Sequence, residues 1–137
     1  MNWDATLRSA LTRTMESELS SSRVQRLQNL AVREAFKSGA KKKHGAIVFR
    51  KGRIISSGFN KLKTHPKCQQ QYKYLHAEED ALIKAGILAK GADIYVIRLI
   101  RDGLGLSRPC ETCLQVLREA EVRNIYYSTN EGEIERL

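Results

Sequence analysis

The sequence of 137 residues predicts a single α/β sandwich. Helix-spaced apolar stripes alternate along it with short runs rich in β-branched and aromatic residues. Two short motifs, His76-Ala77-Glu78 and Pro109-Cys110-Glu111-Thr112-Cys113, each stand at the start of a helical pattern. With 42% hydrophobic and 7% aromatic residues, the chain supports one compact core and is too short for two ordinary domains. One domain over 1–137 is therefore expected, with residues 1–22 as an N-terminal helical extension and 23–137 as the core.

Each element has a local reason. Trp3, Leu7, Leu11, Met15 and Leu19 recur every fourth residue, the stripe of one helix face, with Asp4 near its start. Ser20-Ser21-Ser22 breaks that pattern and can cap a second helix, on which Val24, Leu27, Ala31 and Ala35 share a face before Gly39 ends it. Lys41-Lys42-Lys43 reads as a solvated loop, with a phosphate contact as the other option. The period then changes. Ala46 to Phe49 and Ile54 to Phe59, joined by Arg50-Lys51-Gly52-Arg53, read as a hairpin. From Asn60 to about Lys73 the chain is polar, aperiodic and holds Pro66, so it reads as a loop. Ala77 to Ala85 is a helix with Ala81, Leu82 and Ala85 inward and Gly86 near its end, and Ile94 to Ile97 is a buried strand. A connection with Gly103 and Gly105 leads to Pro109. Cys110 to Ala120 is a further helix, Asn124 to Ser128 a strand, Thr129-Asn130-Glu131-Gly132 a turn, and Glu133 to Leu137 a last short strand.

The motifs carry chemistry. One His and two Cys can fill three corners of a zinc tetrahedron, leaving the fourth for water and a carboxylate two residues from the His to move protons. That is the pattern of an open, catalytic site. The positive end of each helix is expected to favour the thiolates of Cys110 and Cys113, and Pro109 is tolerated where the first helical N–H groups have no acceptor. Three cysteines are too few and too unevenly placed for a secreted disulfide framework, and a redox reading of Cys-x-x-Cys would leave His76 and Glu78 without a task.

The balance of 24 basic and 15 acidic residues gives a formal charge of +9, which favours a phosphate-bearing partner or marks a solvated basic surface. No run of 18 apolar residues occurs and Met1-Asn2-Trp3-Asp4 lacks a signal-peptide layout, so a soluble, intracellular, cytoplasmic protein without a membrane partner is expected. Among other polar residues, His44 has a contact with phosphate or base as one option and a structural role as the other. His65 and Cys68 read as loop residues or part of a second metal site. Glu79 and Asp80 suit a helix N-terminus. Arg98, Arg101 and Arg108, with Lys61, Lys63 and Lys67, form a phosphate rim or a solvated face. Tyr72 and Tyr74 are candidates for stacking on a base.

On the motifs His76-Ala77-Glu78 and Pro109-Cys110-Glu111-Thr112-Cys113, the stretch from Val24 onward resembles the cytidine deaminase superfamily of zinc-dependent nucleoside, nucleotide and nucleic-acid deaminases. The resemblance implies a three-layer sandwich, with a mixed central sheet of about five strands and the zinc-ligand helices on one face. It implies His76, Cys110 and Cys113 as ligands of Zn2+ and Glu78 as the catalytic proton shuttle. Asn60 stands where the family contacts sugar or base, and Ala77 and the backbone around Pro109 approach the ring; His44 and Arg108, read from the residues and not from the resemblance, are further candidate substrate contacts. It also implies a homo-oligomer.

Four positions bear on substrate. Leu62 stands where small nucleoside deaminases of this family carry Glu, and Gly58-Phe59-Asn60-Lys61 replaces the Gly-Tyr-Asn-Gly of deoxycytidylate deaminases. Cys113-Leu114-Gln115 is similar to the Cys-x-Gln of nucleoside deaminases, and the short tail from Asn124 suggests their antiparallel last strands. The expected reaction is conversion of cytosine to uracil with release of ammonia, in a nucleoside, a nucleotide or exposed single-stranded nucleic acid, with phosphorylated or polymeric substrates in view. Deamination of a purine, adenosine in tRNA or guanine, is the alternative within the fold. A non-catalytic zinc module that binds nucleic acid or protein is the alternative outside it.

Overall fold

A computed structural model describes residues 21–51, 53–62 and 75–137. The stripe from Trp3 to Leu19, Ser20, and His65, Cys68, Tyr72 and Tyr74 lie outside the described residues. The elements in order are α1 (Ser21–Phe36), β1 (Lys43–Arg50), β2 (Arg53–Phe59), α2 (Ala77–Ala85), a 3-10 turn (Gly86–Ala89), β3 (Asp93–Ile100), β4 (Gly103–Gly105), α3 (Glu111–Glu119), β5 (Asn124–Ser128) and β6 (Ile134–Arg136). No helix among the described residues is long and apolar enough to cross a membrane.

The six-stranded sheet has the order β2-β1-β3-β5-β6, with β4 pairing the far end of β3. β3 and β5 are parallel, because α3 carries the chain back between them, and every other pairing is antiparallel. The sheet is thus mixed, and β5 and β6 close it in the antiparallel manner expected.

Alternation along the strands builds the three layers. Ile47 and Phe49 of β1 and Tyr95, Ile97 and Leu99 of β3 face one way and meet Leu27, Ala31 and Ala35 of α1. Ala46, Val48, Ile94, Val96 and Ile125 face the other way and meet Ala77, Ala81, Leu82 and Ala85 of α2 and Leu114 and Leu117 of α3. Strands buried on both faces read as continuous apolar runs, as these do. Two glycines set how closely the layers approach. A Cβ at Gly45 would lie 2.4 Å from the Ala31 carbonyl oxygen, and one at Gly58 would lie 2.6 Å from the Ala81 nitrogen. Only glycine lets α1 rest on β1 and α2 rest on β2 at this distance.

Several elements depart from the sequence expectation. β1 begins at Lys43, so Lys43 and His44 are strand residues and only Lys41 and Lys42 precede it. Cross-strand pairing of Lys43 with Leu99 and His44 with Arg98 extends the strand past its apolar run. Arg98 likewise belongs to β3 and not to the connection after it. That connection contains a strand: Gly103 to Gly105 pairs with Arg98 to Ile100, making six strands where about five were expected. Gly-Leu-Gly has poor strand propensity. Its pairing depends on the neighbouring strand, over which the missing side chain at Gly105 leaves room for Ile100 and Arg98.

Candidate zinc centre

The two ligand motifs reach one place through the same local geometry. His76 precedes α2 in an extended conformation, φ −76° and ψ 157°, and its carbonyl accepts from the Asp80 N–H at 3.0 Å. Cys110 precedes α3 at φ −69° and ψ 168°, and its carbonyl accepts from the Leu114 N–H at 2.8 Å. Each motif therefore places its first ligand on the cap residue, and Cys113 follows in the first turn of α3. An exposed Cys110 and a buried Cys113 frame the site from the rim and from within.

Clamps fix both motifs to the sheet. Lys61 and Leu75 exchange backbone hydrogen bonds of 2.9 and 3.0 Å, tying the residue before His76 to the end of β2. Buried Asp80 accepts from the Phe59 N–H at 3.1 Å and from the ammonium groups of Lys61 and Lys84 at 3.0 and 3.2 Å. Asp80 was expected to serve only the helix end, and its bridge to β2 gave no sequence signal. Leading into Cys110, the Ser107 hydroxyl donates to the Val96 carbonyl at 2.8 Å and accepts from the Ser128 N–H at 2.8 Å.

Among the described residues, one cluster of potential metal ligands forms: His76, Cys110 and Cys113, with donor atoms all within 4.8 Å of one another. The Cys110 and Cys113 Sγ atoms lie 3.8 and 3.3 Å from His76 Nδ1. Zinc bond lengths of about 2.3 Å to sulfur and about 2.0 Å to imidazole nitrogen place tetrahedral neighbours about 3.5–3.8 Å apart, so the donor set fits zinc. Burial holds the His76 imidazole below its ordinary pKa, partly opposed by Glu79, and favours the neutral ring that coordinates metal. At Cys113 burial opposes the helix end when no metal is bound. Burial first, then the charges of Glu78 and Cys110, push its thiol well above the ordinary range. Formation of the thiolate is therefore coupled to metal binding.

Glu78 stands outside the ligand cluster, only 5% exposed. Burial raises its pKa to about 7, against its own backbone N–H and the Cys113 thiol, which favour the charged form. A cavity of about 230 Å³ opens over these residues, lined by His44, Asn60, Ala77 and Arg108 from the expected set and also by Lys42 and Ser107. Pro109 is buried beside it and is not among the lining residues. Lys42 was legible only as part of a lysine run, and Ser107 carried no signal. Asn60 is 1% exposed; its Oδ1 accepts from the His44 N–H at 2.9 Å and its Nδ2 donates to the Lys42 carbonyl at 2.5 Å. The amide thus braces the start of β1 at the cavity wall. Burial, with the nearby charges of Arg98, His76 and Lys42, lowers the His44 pKa to about 4, against a hydrogen bond with the Lys42 backbone. The expected phosphate rim divides: Arg108 reaches this cavity, Lys61 is bound to Asp80, Arg98 and Arg101 line a different groove, and Lys63 and Lys67 lie outside the described residues.

Comparison with known proteins places this geometry. Residues 21–129 match the family model of the cytidine and deoxycytidylate deaminase zinc-binding region. No curated protein matches in sequence. Among solved structures, the chain is similar to the dCMP deaminase of cyanophage S-TIM5, 26% identical over 74% of this chain and 78% of that one, with a TM-score of 0.56. A cytidine deaminase from Burkholderia pseudomallei is 22% identical over 80% of this chain and 87% of that one, with a TM-score of 0.58. RibD of Acinetobacter baumannii is 23% identical over 91% of this chain, which spans 28% of that protein, with a TM-score of 0.46. Because the family model covers most of its length, the chain belongs to the cytidine and deoxycytidylate deaminase zinc-binding family, and its ligand cluster makes it a zinc-dependent hydrolytic deaminase acting on nucleobases.

Proposed function

We propose that the reaction is conversion of cytosine to uracil with release of ammonia, in a nucleoside, a nucleotide or exposed single-stranded nucleic acid. The observation that carries this reading is the buried Glu78, outside the ligand cluster but against Cys113, in the wall of a cavity also lined by Asn60 and His44. A carboxyl group so placed can take up a proton and return it. The family match and the 26% identity to a dCMP deaminase support a cytosine base.

Zinc held by His76, Cys110 and Cys113 would lower the pKa of a coordinated water from about 15.7 toward about 7. Glu78 takes a proton from the attacking water as the water oxygen bonds to the amino-bearing ring carbon, and passes it to the adjacent ring nitrogen. Glu78 then takes the remaining proton of that oxygen and hands it to the amine. The carbon–nitrogen bond breaks, a carbonyl remains and ammonia departs. Asn60, fixed against β1, contacts the sugar or base. With a pKa near 4, His44 is neutral at pH 7 and can act as a hydrogen-bond partner without a charge. Lys42 and Arg108 at the mouth suit a phosphate. Leu62, 73% exposed, offers no carboxylate to a ribose.

The active unit is also proposed to be a homo-oligomer, which light scattering at micromolar concentration tests; a monodisperse monomer overturns it. The reaction is tested by ammonia release from zinc-loaded protein on cytidine, deoxycytidine, their monophosphates, guanine, adenosine, single-stranded DNA and tRNA. Turnover of cytosine substrates supports the reading. Turnover confined to a purine, or none with zinc bound and the fold intact, rejects it.

A further inference from the structure

Hydrogen-bonding capacity is unevenly shared around the catalytic cavity. Lys42 and Arg108, both exposed at its mouth, carry donors only. His76 and Cys110 belong to the ligand cluster, and the buried Glu78 stands against Cys113 beside it. The Ser107 hydroxyl gives its proton to the Val96 carbonyl and accepts from the Ser128 N–H. The Asn60 amide is turned to the chain itself, Oδ1 accepting from the His44 N–H and Nδ2 donating to the Lys42 carbonyl. What remains in the lining is the imidazole of His44.

The surroundings of that ring set what it can do. Its backbone is held by the bond to Asn60 Oδ1 at 2.9 Å and by cross-strand pairing with Arg98. Burial keeps the ring uncharged against a hydrogen bond with the Lys42 backbone, and the charges of Arg98, His76 and Lys42 act in the same direction as burial. The backbone group that favours a charged imidazole is a carbonyl, so a ring N–H of His44 donates to Lys42. A neutral imidazole has one N–H, and with it so engaged the other nitrogen is an acceptor. Depth then says which part of a substrate meets it. Exposure falls from Lys42 and Arg108 through the half-buried His44 to the buried Glu78. A nucleotide has the same order from its charged end inward: phosphate, sugar, base. With the reacting carbon at Glu78 and an anion at Lys42 and Arg108, the sugar is level with His44, and its hydroxyls are its only donors.

We propose that His44 determines specificity by accepting a hydrogen bond from a hydroxyl of the substrate's sugar. The proposal rests on reading the cavity as a nucleobase-deaminating site and identifies the substrate group that the β1 wall reads. A substrate lacking that hydroxyl leaves the acceptor unpaired and is disfavoured. The test uses the zinc-loaded full chain with the ribo, deoxy and dideoxy forms of cytidine monophosphate, read by kcat/KM and, without turnover, by imidazole nitrogen NMR of His44. The wild type is expected to lose about tenfold or more in kcat/KM at one step of this ladder. Loss between ribo and deoxy names the 2′-hydroxyl, and loss between deoxy and dideoxy names the 3′-hydroxyl. His44→Phe, which keeps a ring and removes the acceptor, is expected to bring the ratio at that step close to one. His44→Gln, which restores an acceptor, is expected to recover part of it. The acceptor nitrogen of wild-type His44 is expected to shift on binding the hydroxyl-bearing form and not its deoxygenated counterpart. If His44 only shaped the wall, both variants would slow all forms in proportion; that result overturns the proposal, as does a wild type indifferent to the hydroxyls. Where no cytosine form turns over, the same ladder of adenosine and guanosine monophosphates is read by the nitrogen shift. A hydroxyl-dependent shift there rejects the cytosine reading and keeps the His44 contact, and its absence rejects both.

Discussion

Glu78 differs from its neighbour Glu79 in what surrounds it. Both are buried, yet among the two only Glu78 lines the cavity beside the ligand cluster. Replacing it with Gln keeps size and one hydrogen-bond acceptor while removing the proton route. Glu78→Gln is expected to retain bound zinc and fold, by metal analysis and thermal melting, while kcat falls by about 10² to 10⁴. Wild-type kcat in that variant would remove the proposed role. Cys110→Ser, by contrast, is expected to lose zinc and melting temperature together, since metal binding and folding are coupled. His44 provides a pH prediction. The charged groups facing it are Lys42 on its own segment, Arg98 on β3 and His76 at the start of α2, all positive or neutral, and its pKa falls from 6.5 to about 4 on folding. The unfolded chain therefore binds this proton more readily, so the associated stability is complete above about pH 6.5 and is lost as pH falls toward 4. His44→Gln is expected to flatten the decline of melting temperature across that window, and an unchanged profile would show that His44 titrates normally.

At the scale of the element, the site depends on how closely α2 lies on β2. Gly58 permits that approach, and a methyl group there meets the Ala81 nitrogen at 2.6 Å and the Ala77 oxygen at 2.7 Å, neither of which can rotate away. Gly58→Ala is expected to destabilise the fold by about 1–3 kcal/mol, because α2 must shift to relieve the overlap. The same shift moves Glu78, so kcat is expected to fall with stability. Asp80 works on the same pair of elements through its bonds to Phe59, Lys61 and Lys84. Asp80→Ala leaves a backbone donor of β2 unpaired and is expected to cost about 1–3 kcal/mol, read from urea denaturation. Helix and strand positions were largely legible because periodicity is a local property: α2 runs from Ala77 to Ala85 and β5 from Asn124 to Ser128 as the pattern predicts. β4 was not legible, since Gly103-Leu104-Gly105 becomes a strand only through β3.

For the whole molecule, zinc joins two helices that the sequence separates, as His76 meets Cys110 across 34 residues and Cys113 across 37. Removing zinc with a chelator is therefore expected to lower the melting temperature of the wild type and to have little effect on Cys110→Ser. An equal shift in both would mean that the chelator acts elsewhere. The sequence by itself determined the identity of the ligands, the placement of both motifs at helix starts and the α/β order of elements. Those depend on residue type and on spacing within a few positions. The tertiary structure decided what depends on distant neighbours. Burial made the metal-free Cys113 thiol reluctant to ionise and, together with the positive charges of Arg98 and Lys42, made His44 reluctant to charge. Cross-strand register brought Arg98 beside His44 and divided the expected cationic rim between cavity and groove. The hydroxyls of Ser107 and Ser128, unremarkable in sequence, lock the approach to Cys110 because β3 and β5 run parallel beside them. Desolvation and packing are properties of the assembled molecule, and no local pattern of residues encodes them.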